Sequence, residues 1–323
     1  MAQLTAAPME GLTGAVYRKL HHRFFGGADA YYIPFVTPTV EPKFTDRQLR
    51  ELAPEVNSGI PVVPQLLSNR SADFIWAAKA LGEMGYSEVN LNLGCPAGTV
   101  VAKGKGSGFL KDLYGLEKFL DEVFSADIPV PISIKTRLGW SDTAEFEDIL
   151  KLYRKYPLSE LIVHMRLKTD QYKGDARTQV LLNALDEIPF PLGVNGDLVT
   201  EADLKQADER FRHPHQLMVG RALMADPALF HKFKGGKPAS AEEIRQFSKA
   251  LFDGYTEAFG SRKNAMMRMK EYWFFQSCLF EENPSAFKRI FKSREEADFS
   301  AALDEIMSGG LLRDARFGWK KPL

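Results

Sequence analysis

The chain has 323 residues, 45% of them apolar and 26% charged, with 42 basic side chains against 42 acidic ones. That is room for one large globular domain and a small one, and the balanced charge excludes a global field that would announce a nucleic-acid partner, though not a local patch. Two cysteines, Cys95 and Cys278, make no disulfide framework, and neither a signal-peptide pattern nor a membrane-length apolar run is visible; together these predict a cytoplasmic protein.

Eight β-rich runs are predicted, near residues 4–8, 30–36, 62–67, 88–93, 131–135, 161–164, 191–194 and 217–219. Most are separated by helical periodicity, as at 71–84, 113–124, 144–156 and 201–206. Strands alternating with helices imply βαβ units and a parallel sheet. Eight such units fit an α/β fold of the (β/α)8 TIM-barrel type, whose usual size is about 250 residues. An open doubly wound sheet is the alternative. Polar residues at the ends of nearly all the strands favour the barrel, because an open sheet would gather them at one switch point. After Phe233 the pattern changes. KGGKPAS reads as a linker, and 242–259, 263–280, 284–292 and 294–307 read as helices, with Ser240 and Glu243 spaced as a capping box. The domain prediction is a barrel over 1–237 and a small all-helical domain over 238–323.

The segment 90–98, Asn-Leu-Asn-Leu-Gly-Cys-Pro-Ala-Gly, puts a thiol at a strand tip, where Gly94 breaks the strand and Pro96 blocks its continuation. A lone cysteine is more often a small buried hydrophobe. Here the glycine-rich loop behind it and the other strand ends weigh toward function. Those ends carry Pro8-Met9-Glu10-Gly11, Gln65, Asn92 with Cys95, Lys135 with Arg137, His164 with Arg166, Asn195-Gly196-Asp197 and Gly220-Arg221. Glycine turns after the seventh and eighth runs fall where this fold commonly binds phosphate. Lys135 and His164 each close an apolar run, so that their side chains would reach the barrel mouth. The lysines of KGKGSG hint at contact with a polyanion. No metal-ligand spacing, Walker loop, nucleophile elbow or dinucleotide fingerprint is present.

Collected in order, these residues resemble the tRNA-dihydrouridine synthases. The matching pieces are Ala7-Pro8-Met9, Gln65, Asn92-Leu93-Gly94-Cys95-Pro96, Gly106-Ser107-Gly108-Phe109-Leu110, Lys135-Thr136-Arg137-Leu138-Gly139 and Val163-His164-Met165-Arg166. Tyr172, Gly174 and Ala176 follow, then the 195–197 and 220–221 turns. The resemblance implies reduction of a uridine C5–C6 bond in tRNA, with FMN as cofactor and NADPH as reductant. It further implies Cys95 as the acid that protonates C5, and a cysteine thiol, ordinarily titrating at about 8.5, suits that task. For the flavin it implies Gln65, Lys135 and His164 on the ring or ribityl chain, Pro8, Met9 and Glu10 beneath it, and Asn195, Gly196, Asp197, Gly220 and Arg221 on the phosphate. Asn92, Arg137 and Arg166 are expected toward the substrate. Met165, Leu167 and the Arg177-Thr178 pair depart from the family pattern, near the loop expected to face RNA.

In the tail, residues 262–294 hold eight Lys or Arg against three Glu. Met266, Met269, Trp273 and Phe280 fall at core spacing, and Lys263 and Lys270 are expected to meet tRNA phosphates. No metal, membrane or protein partner is implied. Two other readings remain compatible with the residues: a flavin barrel of the dihydroorotate-dehydrogenase kind acting on a free small molecule, and a non-catalytic RNA-binding barrel.

Overall fold

The computed structural model describes residues 1–316. Nine strand segments form one sheet: β1 (Gln3–Ala6), β2 (Ala30–Tyr32), β3 (Val62–Val63), β4 (Gln65–Leu66), β5 (Val89–Leu93), β6 (Ile132–Gly139), β7 (Leu161–Leu167), β8 (Leu192–Asn195) and β9 (Gln216–Val219). They run in the order β3-β2-β1-β9-β8-β7-β6-β5-β4, and the paired strands are parallel. β3 and β4 are two halves of one run, interrupted at Pro64. A parallel bridge between Val36 and Leu66 joins the two ends of the order, with Val36 N–H donating to Gln65 O at 2.8 Å and Leu67 N–H to Val36 O at 2.9 Å. The sheet therefore closes as a ring of eight runs, the barrel that the sequence predicts.

Two strands are longer than their apolar runs suggest. β6 continues past Lys135 to Gly139 and β7 past His164 to Leu167, so neither residue closes its strand. Charged residues hide this continuation. Arg137 and Arg166 lie on the inward face and are fully buried, so the pattern reads as polar although the strand goes on. Period-two alternation sorts the faces. Ser133, Lys135 and Arg137 share one side of β6 while Ile132, Ile134, Thr136 and Leu138 share the other, where Thr136 Oγ1 meets Tyr153 Oη of helix Glu145–Tyr153 at 3.0 Å.

The chain forms two compact units. One comprises Met1–Pro8, Ala30–Asp197 and Gln206–Met218; the other comprises Met9–Asp29, Leu198–Lys205 and the chain from Val219 onward. Inside the first, Ala7, Tyr32, Ile162 and Met218 form an apolar layer with Val63 packed against it. A buried polar network lies among residues at or near the strand starts. Gln216 Nε2 donates to Tyr32 Oη at 2.9 Å and to Glu160 Oε2 at 2.5 Å, His215 Nδ1 meets Glu160 Oε1 at 2.9 Å, and Ser133 bonds to Glu88.

In the second unit the helix Ala15–Phe24 packs with the tail. Tyr17 lies 6.0 Å from Phe247 and 6.3 Å from Tyr272 between ring centroids, and its hydroxyl donates to Leu223 O at 3.1 Å. The tail helices are Ala241–Phe259, Arg262–Gln276, Pro284–Lys292 and Glu296–Met307. The Ser240–Glu243 capping box is formed, and the first helix stops at Gly260, in the left-handed region at φ 59°. Met266, Met269 and Trp273 are buried, as their spacing predicts; Phe280 is buried too, but the helix expected to reach it ends at Gln276 and a 3-10 turn intervenes. No helix among the described residues is long and apolar enough to cross a membrane.

The network at the strand starts makes stability depend on pH. The Glu160 hydrogen bond, opposed by partial burial, raises the pKa of His215, and the charges of Glu160 and Glu88 add to the rise. A histidine with a raised folded pKa stabilises fully below its unfolded value, about 6.5, and loses that contribution as pH climbs through the raised one. The melting-temperature advantage of the wild type over His215→Gln should be largest at about pH 6 and shrink toward about pH 9. A constant difference across that range would remove this ion pair from the account.

Candidate active site

The strand β5 ends by turning on its own side chain. Asn92 Oδ1 accepts the backbone N–H groups of Gly94 at 3.1 Å and Cys95 at 2.9 Å, an Asx-type turn that fixes the thiol-bearing residue at the strand tip. The other end of the Asn92 amide donates to Gln65 Oε1 at 2.7 Å. Gln65 Nε2 donates to Asn90 Oδ1 at 2.7 Å, and Asn90 Nδ2 to Ser133 Oγ at 2.8 Å. These side chains are buried, so each amide is oriented by its neighbour. Asn92 is therefore first a positioning group, with one of its two side-chain N–H groups used among the described residues. Asn90 and Ser107 did not stand out in the sequence. Ser107 holds the carbonyl of Cys95 through both its N–H (3.1 Å) and its hydroxyl (2.9 Å). Gly106, at φ +57°, allows this approach, because a Cβ there would lie 2.8 Å from Cys95 O. Cys95 is half-buried and unpaired in any disulfide. Burial pushes the thiol of Cys278, the other cysteine, up to about 11.

Three cations that look alike in sequence are handled differently. Lys135 faces Asn92 across β5 and β6, and its ammonium donates to Asn195 Oδ1 at 3.1 Å. The desolvated surroundings of that ammonium push its pKa down to about 7. Arg137 adds to the fall, and the charge of Cys95 opposes it. One of three N–H donors is used among the described residues, so the group keeps donors for a ligand oxygen or nitrogen. Asn195 is held from its other end, Nδ2 donating to Met218 O at 2.7 Å.

Arg137 is expected at the substrate, but its guanidinium is occupied. Nε donates to Gly94 O at 2.7 Å, and Nη1 to Leu167 O at 2.8 Å and Gln171 O at 2.7 Å, with the cation 5.3 Å from the Tyr172 ring centroid. It ties the Cys95 turn to the loop after β7. Burial lowers its pKa, a shift the Tyr172 contact opposes. Arg166 is equally buried. Nη2 donates to both Asp197 oxygens (2.8 and 2.6 Å) and to Gly174 O at 2.5 Å, and Nε to Lys173 O at 3.3 Å. Asp197 Oδ2 also accepts from Ala176 N–H at 2.8 Å. The Asp197 carboxylate is engaged by Arg166, and like charge would repel a phosphate, so the expected phosphate turn rests on the backbone there rather than on this side chain.

His164, paired in register with Arg137 and Asn195, places Nε2 3.4 Å from Arg166 Nη1 and its ring 6.2 Å from that of Tyr172. Gly196, at φ +121°, lies against this ring; a Cβ would come 3.0 Å from His164 Cδ2. The departures from the family pattern divide between the strand and the loop after it. Met165 and Leu167 are buried. Arg177 forks onto Asp170 at 3.0 and 3.1 Å, lowering that carboxyl's pKa, and Asp170 Oδ2 accepts Leu167 N–H at 2.8 Å. The loop is thus stapled by its own ions.

In the second unit, Met9 and Glu10 open a tight turn. Met9 N–H donates to Thr13 Oγ1 at 2.8 Å, and Met9 O accepts from Leu12 and Thr13, both at 3.0 Å. Gly11, at φ +78°, leaves room for Arg268, whose Nη1 would lie 2.4 Å from a Cβ there. Gly220 and Arg221 directly follow β9 in the chain, and Gly220 O accepts Leu223 N–H at 3.0 Å. Lys263 is exposed. Lys270 is not available to RNA: it is 6% exposed, and its ammonium donates to Ser293 O at 2.5 Å near the end of helix Pro284–Lys292. Burial lowers its pKa. The helical stripe shows which residues are apolar, and not that a lysine between them turns inward to carbonyls of another helix.

Comparison with known proteins gives this geometry a family. A family model described as dihydrouridine synthase (Dus) matches residues 5–307. The tRNA-dihydrouridine synthase B of Vibrio parahaemolyticus is 28% identical over 312 residues, covering 91% of this chain and 92% of that protein. The protein of the same name from Pseudomonas aeruginosa is 26% identical over 310 residues, covering 93% and 91%. Among solved structures, the Old Yellow Enzyme from Pichia sp. AKU4542 superposes with a TM-score of 0.52 at 13% identity, covering 78% of this chain and 88% of that one, which supports the barrel fold alone. The match along nearly the whole described chain carries the conclusion: the protein is an enzyme that belongs to the dihydrouridine synthase family.

Proposed function

We propose that the enzyme reduces uridine in tRNA to 5,6-dihydrouridine, with FMN as cofactor, NADPH as reductant and Cys95 giving the proton to C5. The observation that carries this reading is the Cys95 turn. It is a thiol on a braced strand tip, in electrostatic reach of a lysine that keeps donors for a ligand, in a chain of the dihydrouridine synthase family. The relatives named as tRNA-dihydrouridine synthases supply the class of RNA.

When bound, FMN would supply the hydride chemistry that no side chain can provide, with NADPH as the reductant and C6 of the uracil as the site reduced. The chain's own residues then have separable tasks. Cys95 places a proton on C5, so that hydride and proton together saturate the double bond. Lys135, steadied by Asn195, holds the electron-rich edge of the flavin, and its cationic form favours the thiolate that Cys95 leaves behind. Gln65 and His164 line the flavin site. Gly196, with Gly220 and Arg221, takes the phosphate, while Asp197 acts through its backbone and its hold on Arg166. Pro8, Met9 and Glu10 support the flavin by backbone and packing. The spare N–H of Asn92 meets the uracil edge.

A uridine in folded RNA must leave its stack to reach such a site, at a cost of a few kcal/mol, roughly the energy of unstacking. Contacts elsewhere on the RNA offset it. We assign the catalytic role to the barrel segment 1–237 and tRNA contacts to 238–323, where Lys263, Lys288, Lys292 and Arg294 are exposed.

Cys95→Ala should retain FMN and oxidise NADPH at the wild-type rate, yet lose uridine reduction by about 10²–10⁴-fold, the usual span for a general acid. Undiminished dihydrouridine formation would remove Cys95 from the chemistry. Lys135 gives a second test. With a pKa of about 7, its amine is largely neutral above that pH, and a bound anion restores its charge. FMN binding at about pH 8 should therefore take up protons, seen as a binding heat that changes with the ionisation heat of the buffer. A heat independent of buffer would contradict the Lys135 contact.

A further inference from the structure

We propose that Trp140, with Lys111 and Lys168, forms a subsite for a second nucleotide of the RNA, distinct from the uridine being reduced. Its base stacks on the indole, and the two ammonium groups meet the flanking phosphates. The proposal rests on the reading of tRNA as the substrate.

Trp140 directly follows β6 and is half-buried. Its backbone is fixed on both sides: its N–H donates to Glu145 Oε2 at 2.5 Å, and its carbonyl accepts from Thr169 N–H at 3.0 Å. Lys111 Nζ lies 5.0 Å and Lys168 Nζ 4.4 Å from the indole centroid. Two cations on one indole is an unusual concentration of charge in a chain whose formal charges cancel. Neither lysine has an ion pair among the described residues, whereas Lys151 and Lys155, in the same unit, are each paired with glutamate. The two acids nearest the ring in sequence, Asp142 and Glu145, form no ion pair with either lysine among the described residues; Asp142 Oδ1 accepts from Ala144 N–H at 2.9 Å. The second oxygen of Glu145 accepts from Ser141 N–H at 3.2 Å, Ser141 Oγ at 3.1 Å and Asp142 N–H at 3.1 Å.

The platform is also braced to the catalytic turn. Lys111 ends the 3-10 helix Gly106–Lys111, whose Ser107 holds the Cys95 carbonyl. Lys168 follows Leu167, whose carbonyl is bound by the same Arg137 that binds Gly94 O. A rigid aromatic ring with unpaired lysines, set on the elements that hold Cys95, has the makings of a stacking site for single-stranded nucleic acid. The cation–π contacts at this partly exposed ring are weak enough for a base to exchange with an ammonium that then moves to a phosphate.

The test measures binding of an unmodified tRNA transcript to the flavin-loaded enzyme over a range of potassium chloride concentrations. Trp140→Ala should weaken binding by about ten-fold and Trp140→Phe far less, as expected for lost and retained stacking. The double variant Lys111→Gln/Lys168→Gln should make the log–log salt slope shallower by about 1.5, the share of two phosphate contacts. If Trp140→Ala fails to fold, the lysine pair, of which Lys111 is exposed and Lys168 half-buried, carries the test. Wild-type affinity and slope in that pair, while the wild type binds tRNA, would overturn the subsite and leave the proposed activity standing. Failure of the wild type to bind tRNA would overturn both. Displacement of tRNA by polyglutamate as readily as by poly(U) would assign the patch to a protein partner and overturn the nucleotide assignment.

Discussion

A file of buried amides governs where the thiol sits. Ser133, Asn90, Gln65 and Asn92 pass hydrogen bonds from strand to strand, and the last member uses its oxygen to fold the backbone around Cys95. An unsatisfied buried amide costs about 1–3 kcal/mol, so the file is stable only when each member has its partner. That requirement converts polar side chains, which a barrel interior normally avoids, into a rigid support. The carbonyl side of Cys95 is fixed independently by Ser107, so the turn is held from two directions.

The two buried arginines follow the same logic of pairing, and Lys135 beside them does not. Arg137 and Arg166 are buried because carbonyls and Asp197 occupy their guanidinium groups, and both act as braces for the loop after β7. Lys135 stands among them with a single hydrogen bond among the described residues and a pKa pushed down to about 7. A buried cation so poorly matched is costly in the protein alone and becomes well matched when an electron-rich ligand arrives. The strain of that mismatch falls where the proposed flavin would lie.

The parts of this arrangement that were legible in the sequence are local. β-rich runs between helical patterns located all eight parts of the ring, and the glycine and proline around Cys95 marked a strand tip. Helical spacing found the tail's buried stripe at Met266, Met269 and Trp273. What could not be read depends on partners far along the chain. Arg137 and Arg166 looked like ligand-facing cations because nothing nearby in sequence reveals the carbonyls of Leu167 and Gly174 or the carboxylate of Asp197 as their partners. Lys270 shared a helix face with exposed residues, yet its acceptor lies 23 positions away at Ser293. Asp197 read as part of a phosphate turn because the glycine beside it is one, while its side chain points to a different task.

The most direct measurement is mass analysis of nucleosides from a uridine-containing tRNA transcript incubated with the flavin-loaded enzyme and NADPH in deuterated water. The account predicts a uridine that has gained two hydrogens, with solvent deuterium at C5 in the wild type and loss of that product in Cys95→Ala. An unchanged transcript under conditions where the enzyme oxidises NADPH and reduces a free pyrimidine would contradict it.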